Sequence, residues 1–218
     1  MRKWKDDNRG FSLIELIITI MIIAIISGVS IMAFAGVFST KVTSAAKTIQ
    51  DALKQTRIDA LGRENENYNY SIAGGKIAKR TEIYAKFYYK DSGIYVDVCS
   101  QLKPTFNDDG DETTYPVITL HSRKISNDGY DVEFWSEKDK TGGVESTKIA
   151  TISESSNKTE VMLYFKKSTG GVRGLEYKID TDTDIADGIS YIKVVGPGTD
   201  NFEKVYIVNL TGRSYIDS

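Results

Sequence analysis

Apolar residues fill one long run near the start of the chain. From Leu16 to Phe38 there is no charged side chain, and the first charge after Glu15 is Lys41. At 1.5 Å per residue, a helix of about 23 residues is long enough to cross a bilayer core of about 30 Å. The pattern predicts a transmembrane segment over residues 11–39.

Beyond Thr40 the apolar positions recur every three or four residues. The positions that form this stripe are Val42, Ala45, Ala46, Ile49, Ala52, Leu53, Thr56, Ala60 and Leu61. Charged side chains take the other positions, which is the pattern of an amphipathic helix with one buried face. No proline interrupts the stretch, and Gly62 followed by polar residues marks an end. We predict one continuous helix from about Ser12 to about Arg63, amphipathic over residues 40–64.

After residue 65 the pattern changes to short alternating runs separated by polar or glycine-bearing turns. The predicted strands are Tyr68–Ile72, Ile83–Tyr89, Ile94–Cys99, Val117–His121, Tyr130–Trp135, Lys148–Ile152, Val161–Phe165, Leu175–Ile179, Ile189–Val195, Val205–Leu210 and Ser214–Ile216. Many short strands favour a β-sandwich or strongly twisted sheets. We predict an α+β protein, with the long N-terminal helix packed on an antiparallel β-rich head of residues 65–218.

Composition limits the functions that the chain could have. The chain has 218 residues and a net charge of -2, which gives no overall field for binding nucleic acid. Its single cysteine, Cys99, cannot form an intramolecular disulfide, and its alternating surroundings predict a small buried side chain. The single histidine, His121, has no catalytic partner in sequence, and no phosphate loop or dinucleotide fingerprint is present. We therefore expect no enzymatic activity.

Glu15 is anomalous, because it lies just inside the apolar run. A carboxylate within a membrane segment costs about 2.5 kcal/mol or more, so a partner is expected. A plain signal anchor could tolerate Glu15 near the membrane interface. A cleaved secretory signal is a second alternative, with a small-x-small site at Ala33-Phe34-Ala35. The run is, however, longer than the roughly 7–15 apolar residues of a signal peptide.

The residues around Glu15 suggest a third interpretation. A short basic leader ends at Gly10 and is followed by Phe11, with Glu15 four residues further on. This string resembles the processing signature of type IV prepilins and type II secretion pseudopilins. The resemblance implies a leader peptide of residues 1–10, cut by prepilin peptidase between Gly10 and Phe11, and N-methylation of Phe11. It also implies a pilin helix of residues 11–64, in which Glu15 pairs with the N-terminal ammonium of a neighbouring subunit.

The same resemblance implies partners and a location. The partners would be other pilin or pseudopilin subunits, the prepilin peptidase/methyltransferase and the pilus assembly platform. The subunit would first cross the cytoplasmic membrane once, with the N-terminus inside and the head outside. The basic residues that precede the apolar run favour that orientation. It would then enter an extracytoplasmic filament.

Three further segments resemble GspH/FimT-type minor pseudopilins. They are Leu53–Arg63 at the end of the helix, the hairpin-like Leu163–Val172, and the terminal Val205–Ser214 with its Thr-Gly-Arg turn. They imply a structural minor subunit. An alternative is a DNA- or ligand-binding minor pilin of a competence pilus. The basic residues available for this are Lys166, Lys167, Arg173, Lys178 and Arg213.

Charge counts against the DNA-binding alternative. Without residues 1–10, Lys+Arg falls from 28 to 24 and Asp+Glu from 30 to 28, so the processed chain would carry -4. Nucleic acid is therefore not an expected partner.

A cluster of acidic residues late in the chain raises the question of a metal. Asp180, Asp182, Asp184 and Asp187 are spaced like the ligands of a calcium loop. Ile185 occupies the position where an EF-hand needs its turn glycine. A solvated turn is the simpler interpretation, with calcium as the alternative. We otherwise expect no metal or cofactor.

Overall fold

A computed structural model describes the backbone of residues 12–62, 80–103, 117–140, 143–186, 188–197 and 201–216. Within these ranges it does not describe the side chains of residues 29–38, 80–81, 102–103, 138–140 and 143. The chain divides into two compact units, Met1–Phe38 and Ser39–Ser218. Gly10, Phe11, Asp187 and the predicted strand Tyr68–Ile72 lie outside the described residues.

Helix α1 is an α-helix from Leu13 to Gly62, close to the predicted bounds. In its second half the predicted stripe is buried, with Ile49 and Leu53 at most 1% exposed, except at its last position, Leu61, which is 36% exposed. None of the helical residues that the structure describes form a stretch both long and apolar enough to span a membrane. The transmembrane segment over residues 11–39 stays a prediction.

The described part of the second unit contains eleven strands in two sheets. They are β1 (Arg80–Tyr89), β2 (Gly93–Lys103), β3 (Val117–Asn127), β4 (Asp131–Lys140), β5 (Gly143–Ile152), β6 (Thr159–Phe165), β7 (Val172–Ile179), β8 (Asp182–Ala186), β9 (Tyr191–Val195), β10 (Phe202–Val208) and β11 (Arg213–Ile216). The six-stranded sheet has the order β3-β2-β1-β6-β7-β8, and the five-stranded sheet has the order β11-β10-β9-β4-β5. Neighbouring strands in both sheets pair antiparallel. The predicted α+β class with an antiparallel β-rich head is confirmed.

A single hydrophobic core joins the amphipathic half of α1 to both sheets. Phe87 of β1 and Phe134 of β4 meet edge to face, with ring centroids 5.2 Å apart. Ile49 of α1, Leu163 of β6 and Ile192 of β9 belong to the same buried cluster. Because the helix fills part of this core, its amphipathic half is a component of the head.

The acidic segment after Asp180 differs from its prediction. Asp182–Ala186 is the edge strand β8, which pairs with β7 through partners such as Tyr177 and Asp184. The expected solvated turn is limited to residues 180–181. Aspartate has low intrinsic strand propensity, so the composition of this segment did not indicate a strand. Strand β8 forms because it pairs with β7.

Candidate functional site

Glu15 lies in the first turn of α1. The carbonyl of Ser12 accepts hydrogen bonds from the backbone N–H groups of Glu15 (3.0 Å) and Leu16 (3.2 Å), which makes Ser12 the N-cap. Ser12 and Glu15 therefore have the spacing of a capping box. The helix dipole favours a negative charge here by typically 0.3–1 kcal/mol. The start of the helix thus suits a carboxylate at this position.

The surface around Glu15 is apolar and exposed. The large side chains in this stretch are each more than half exposed, and they are Leu13, Ile14, Leu16, Ile17, Ile18, Ile20, Met21, Ile22, Ile23, Ile25 and Ile26. The hydroxyls of Thr19 and Ser27 donate to the carbonyls of Glu15 and Ile23 four residues earlier. These hydroxyls are therefore satisfied within the helix. Glu15 is the only ionisable side chain among described residues 12–28.

The three segments that resemble minor pseudopilins meet in space at one place, here called the junction. It comprises the end of α1, the turn Lys166–Gly171 between β6 and β7, and the turn Asn209–Gly212 between β10 and β11. Arg57 donates from Nε to the carbonyl of Thr211 at 2.6 Å. The N–H of Val172 donates to the carbonyl of Asn209 at 2.7 Å. The side chain of Arg57 thus joins the end of α1 to a turn 154 residues away, and backbone atoms join the two turns to each other.

Glycines make the junction sterically possible. Gly170 and Gly212 have φ angles of +67° and +63°, the left-handed region that favours glycine. A Cβ added at Gly212 would lie 1.9 Å from the carbonyl oxygen of Gly170. At Gly171 a Cβ would lie 2.4 Å from the carbonyl oxygen of Leu210. The glycines of the two motifs therefore allow the two turns to touch.

A line of polar contacts holds α1 to the β10–β11 hairpin. Thr43 donates to the Glu203 carboxylate at 3.1 Å, and Gln50 donates to the carbonyl of Ser214 at 3.1 Å. Together with Arg57, these residues are spaced seven apart, which places them on one face of the helix. The sequence pattern assigned Gln50 and Arg57 to the polar face of α1 and did not indicate their partners.

His121 lies on β3 near the end of α1. Its Nε2 is 3.8 Å from Oδ2 of Asp59, and its side chain is half exposed. Gln55 donates to the other oxygen of Asp59 at 3.3 Å. The contact links the edge strand β3 to the helix.

The basic residues considered for the DNA-binding alternative lie in three elements: the β6–β7 turn, β7 and β11. Arg173 forms an ion pair with the buried Glu82, and its guanidinium lies 5.3 Å from the ring centroid of Tyr164. Lys178 lies five residues further along β7, roughly 17 Å from Arg173 at strand spacing. Lys166 and Lys167 belong to the junction turn, and Arg213 begins β11. Arg173 is thus already paired and Lys178 lies away from it, whereas Lys166, Lys167 and Arg213 lie at or directly beside the junction.

Two of the acidic residues considered for calcium are engaged in other contacts. Asp184 accepts hydrogen bonds from the hydroxyl of Tyr177 and the N–H of Ile185, both at 2.8 Å, and these bonds lower the pKa of Asp184. Asp180 pairs with Lys158 at 3.1 Å. Within the described residues, no group of three or more acidic, histidine or cysteine side chains is placed to hold a metal.

Sequence reasoning missed an aromatic row on the five-stranded sheet. Trp135, Tyr191, Tyr206 and Tyr215 lie opposite one another across β4, β9, β10 and β11. Successive ring centroids are 6.0, 5.5 and 5.3 Å apart. Each ring belongs to a different strand, so only the strand order could have indicated that they form a row.

Comparison with known families adds one finding. Residues 5–31 match the family model described as the prokaryotic N-terminal methylation motif. The N-terminus is type IV pilin-like. This matched range contains Gly10, Phe11 and Glu15, and the match supports processing of the pilin-like chain by prepilin peptidase and assembly with other pilins. Comparisons with curated proteins and with solved structures found no match.

Proposed function

We propose that this protein is a structural minor subunit of a type IV pilus or a type II secretion pseudopilus. Prepilin peptidase cuts it between Gly10 and Phe11, Phe11 is N-methylated, and the subunit is assembled through α1. The methylation motif over residues 5–31 carries the proposal. The position of Glu15 in the first turn of a helix with an apolar surface supports it. The role is structural, with no enzymatic activity and no cofactor.

Before assembly, residues 11–39 hold the subunit in the cytoplasmic membrane, with the head outside. Two observations support this location. The large side chains of Leu13–Ile26 other than Glu15 are apolar and exposed. The hydroxyls of Thr19 and Ser27 are satisfied within the helix, so among described residues 12–28 the carboxylate of Glu15 is the group most costly to place in a membrane.

During assembly, Glu15 pairs with the N-terminal ammonium of a neighbouring subunit. Methylation of that amine keeps its charge. A buried charge is costly without its partner, so the pair favours the axial register in which the two charges meet. Glu15 thereby selects how an incoming subunit is placed.

The junction supports the minor-subunit assignment. The end of α1, the β6–β7 turn and the β10–β11 turn were each weak as separate resemblances to GspH/FimT-type proteins. In this chain the three segments form one structural unit, because they contact one another through Arg57, Thr211, Gly170 and Gly212.

Mass spectrometry of the protein from membranes that contain a prepilin peptidase tests the proposal. We expect a mature N-terminus at Phe11 carrying one methyl group. Gly10→Val should leave the leader uncleaved, whereas Gly28→Ala is the matched control, because a Cβ at Gly28 meets no atom within 4 Å. A native chain that begins at Met1, or at Gly36, would contradict the proposal.

Two substitutions separate the charge of Glu15 from its place in the cap. Glutamine also serves at the third position of a capping box, so Glu15→Gln keeps the cap and removes the charge. We expect both Glu15→Gln and Glu15→Ala to insert into the membrane and to be lost from filaments. Normal incorporation of Glu15→Gln in isolated filaments would refute the ion pair while leaving processing intact.

A further inference from the structure

The six-stranded sheet ends in two strands that each pair on one side. Strand β3 pairs with β2 at one end of the sheet, and β8 pairs with β7 at the other end. Among the described residues, no further strand pairs with either of them. Both edges lie at the surface, since His121–Lys124 of β3 and Asp182–Ile185 of β8 are exposed. Edge strands of this kind present backbone N–H and C=O groups with which another strand can pair.

The two edges carry opposite charge. Strand β8 contains two aspartates, Asp182 and Asp184, and no basic residue. Strand β3 contains Arg123 and Lys124, together with His121, and no acidic residue. Pairing β3 with β3, or β8 with β8, would place like charges opposite each other, which is unfavourable. Only β3 against β8 brings opposite charges together.

The charges of the two edges that matter most lie on the same face of the sheet. Arg123 is paired with Val96, which is buried in the core, so Arg123 is on the core-facing side of β3. Asp182 is paired with Ile179, which is on the same side of β7 as the buried Leu175. Arg123 and Asp182 would therefore meet on one face if a second sheet continued the first.

Strand direction permits such a continuation. Because all neighbouring strands are antiparallel, the six strands alternate in direction, and β3 and β8 run opposite ways. A second sheet placed beside the first in the same orientation brings its β3 antiparallel to β8. With Arg123 opposite Asp182, this pairing places Ser122 opposite Thr183. A pair of hydroxyl side chains is a favourable cross-strand contact.

Arg123 and Asp182 are also available for a new contact. Neither forms an ion pair with another residue of the described part of the subunit. By contrast, Asp184 on the same strand already accepts a hydrogen bond from Tyr177. A neighbouring subunit can therefore pair with Arg123 or Asp182 without breaking an existing ion pair.

We propose that the acidic edge strand β8 of one subunit pairs with the basic edge strand β3 of an adjacent copy of this chain. The six-stranded sheet then continues from one head into the next. Because the contact joins two different surfaces, it can repeat along a filament. Heads, as well as N-terminal helices, would thus determine which subunits are neighbours.

The contact is short, so it depends on assembly. The regular part of β3 between its two bulges is His121–Lys124, and β8 has five residues. Such a pairing needs the high local concentration that helices already held in a filament provide. The inference therefore rests on the proposed function, and it requires copies of this chain at adjacent positions.

Disulfide crosslinking of the full-length protein in isolated filaments tests the strand pairing. Ser122→Cys combined with Thr183→Cys places opposed thiols on the two edges, with Cβ atoms about 4.5–5.5 Å apart across the contact. Within one subunit these positions are separated by five strand spacings, roughly 24 Å, so a disulfide must join two copies. We expect oxidation to yield covalent dimers and longer ladders. The matched control, Ser122→Cys with Thr147→Cys on the exposed part of β5, should yield at least about five-fold less.

A charge exchange tests the ionic contact in the background of the crosslinking pair. Arg123→Glu places like charges opposite each other and should lower the yield at least about five-fold. Arg123→Glu combined with Asp182→Arg restores opposite charges and should recover the yield to within about two-fold. Lys90→Glu, at an exposed cation elsewhere, should leave the yield within about two-fold.

Several outcomes would overturn the pairing. They are equal yields for the crosslinking and control pairs, a disulfide that joins position 122 to position 122, an unchanged yield for Arg123→Glu, and no recovery in the charge exchange. Urea unfolding checks that each variant remains folded, and the cysteine pair decides alone if a charge variant does not fold.

The N-terminus of the same sample separates this proposal from the proposed function. Methylated Phe11 in filaments without the disulfide contradicts the strand pairing alone. A chain that still begins at Met1 overturns the proposed function, and the strand pairing with it.

Discussion

At the scale of single residues, close contacts at the junction leave no room for a side chain at its glycines. The loss of stability caused by adding one can be measured. Gly212→Ala places a methyl group against the carbonyl of Gly170 at a φ of +63°. We expect a loss of about 2–4 kcal/mol in the free energy of unfolding. Gly174→Ala in β7 is the control, because its Cβ would be 3.9 Å from the nearest atom, and it should change stability by less than about 1 kcal/mol.

Urea unfolding can be followed through Trp135, which is the only tryptophan after the leader. Equal urea midpoints for Gly212→Ala and Gly174→Ala would mean that the junction accommodates the added methyl group without loss of stability.

The presence of glycine at both turns was visible in the sequence. The reason for it was not, since the two turns approach each other only in the folded chain.

Cys99 was predicted to be a small buried side chain, and it is 1% exposed. Burial raises the pKa of its thiol from 9.0 to about 11. The folded state therefore keeps a proton that the unfolded state releases, and stability must fall as pH rises from about 9 to about 11. Unfolding free energies measured at pH 8 and pH 10 should fall more steeply for the wild type than for Cys99→Ala. Parallel pH profiles would contradict the expected thiol ionisation.

At the scale of elements, the amphipathic half of α1 is fixed by its polar contacts as well as by its apolar stripe. Arg57→Ala removes the hydrogen bond to Thr211 at the junction, and we expect a cost of about 1 kcal/mol for this partly exposed contact. Lys54→Ala, one turn away, removes only an exposed 3.9 Å ion pair and should cost less than about 0.5 kcal/mol. The urea midpoints of the two variants are compared. Equal midpoints would mean that apolar contacts alone hold α1 on the sheets.

The elements differed in how visible they were in sequence. The helix was predictable because apolar positions recur at helical spacing with no proline up to Gly62. Strands such as β1, β6 and β10 were predictable from their alternating apolar residues. Strand β8 was not, because Asp182–Ala186 is exposed and depends on hydrogen bonds to β7. Propensity describes a segment alone, whereas an edge strand is stabilised by its neighbour.

At the scale of the whole molecule, strand order decides which residues become neighbours. The aromatic row needs β4, β9, β10 and β11 side by side, and no local pattern indicates that order. The ion pair of Arg173 with Glu82 likewise joins β7 to β1, and no local pattern indicates it. The pilin-like N-terminus, by contrast, is a contiguous string, and sequence alone was sufficient to recognise it.

The extent of the core predicts where the folding unit begins. The buried cluster draws residues from Val42 to Ile207, so it includes the second half of α1 together with both sheets. We expect a chain of residues 39–218 to fold on its own, with a cooperative urea transition reported by Trp135.

A chain of residues 65–218 lacks Val42, Ile49, Leu53 and the other apolar side chains of the helix. Loss of several large core side chains costs about 2–5 kcal/mol each, which exceeds the typical stability of a domain. The shorter chain should therefore show no cooperative transition and should bind a hydrophobic dye. A cooperative transition for residues 65–218 would show that the sheets form a complete core without the helix.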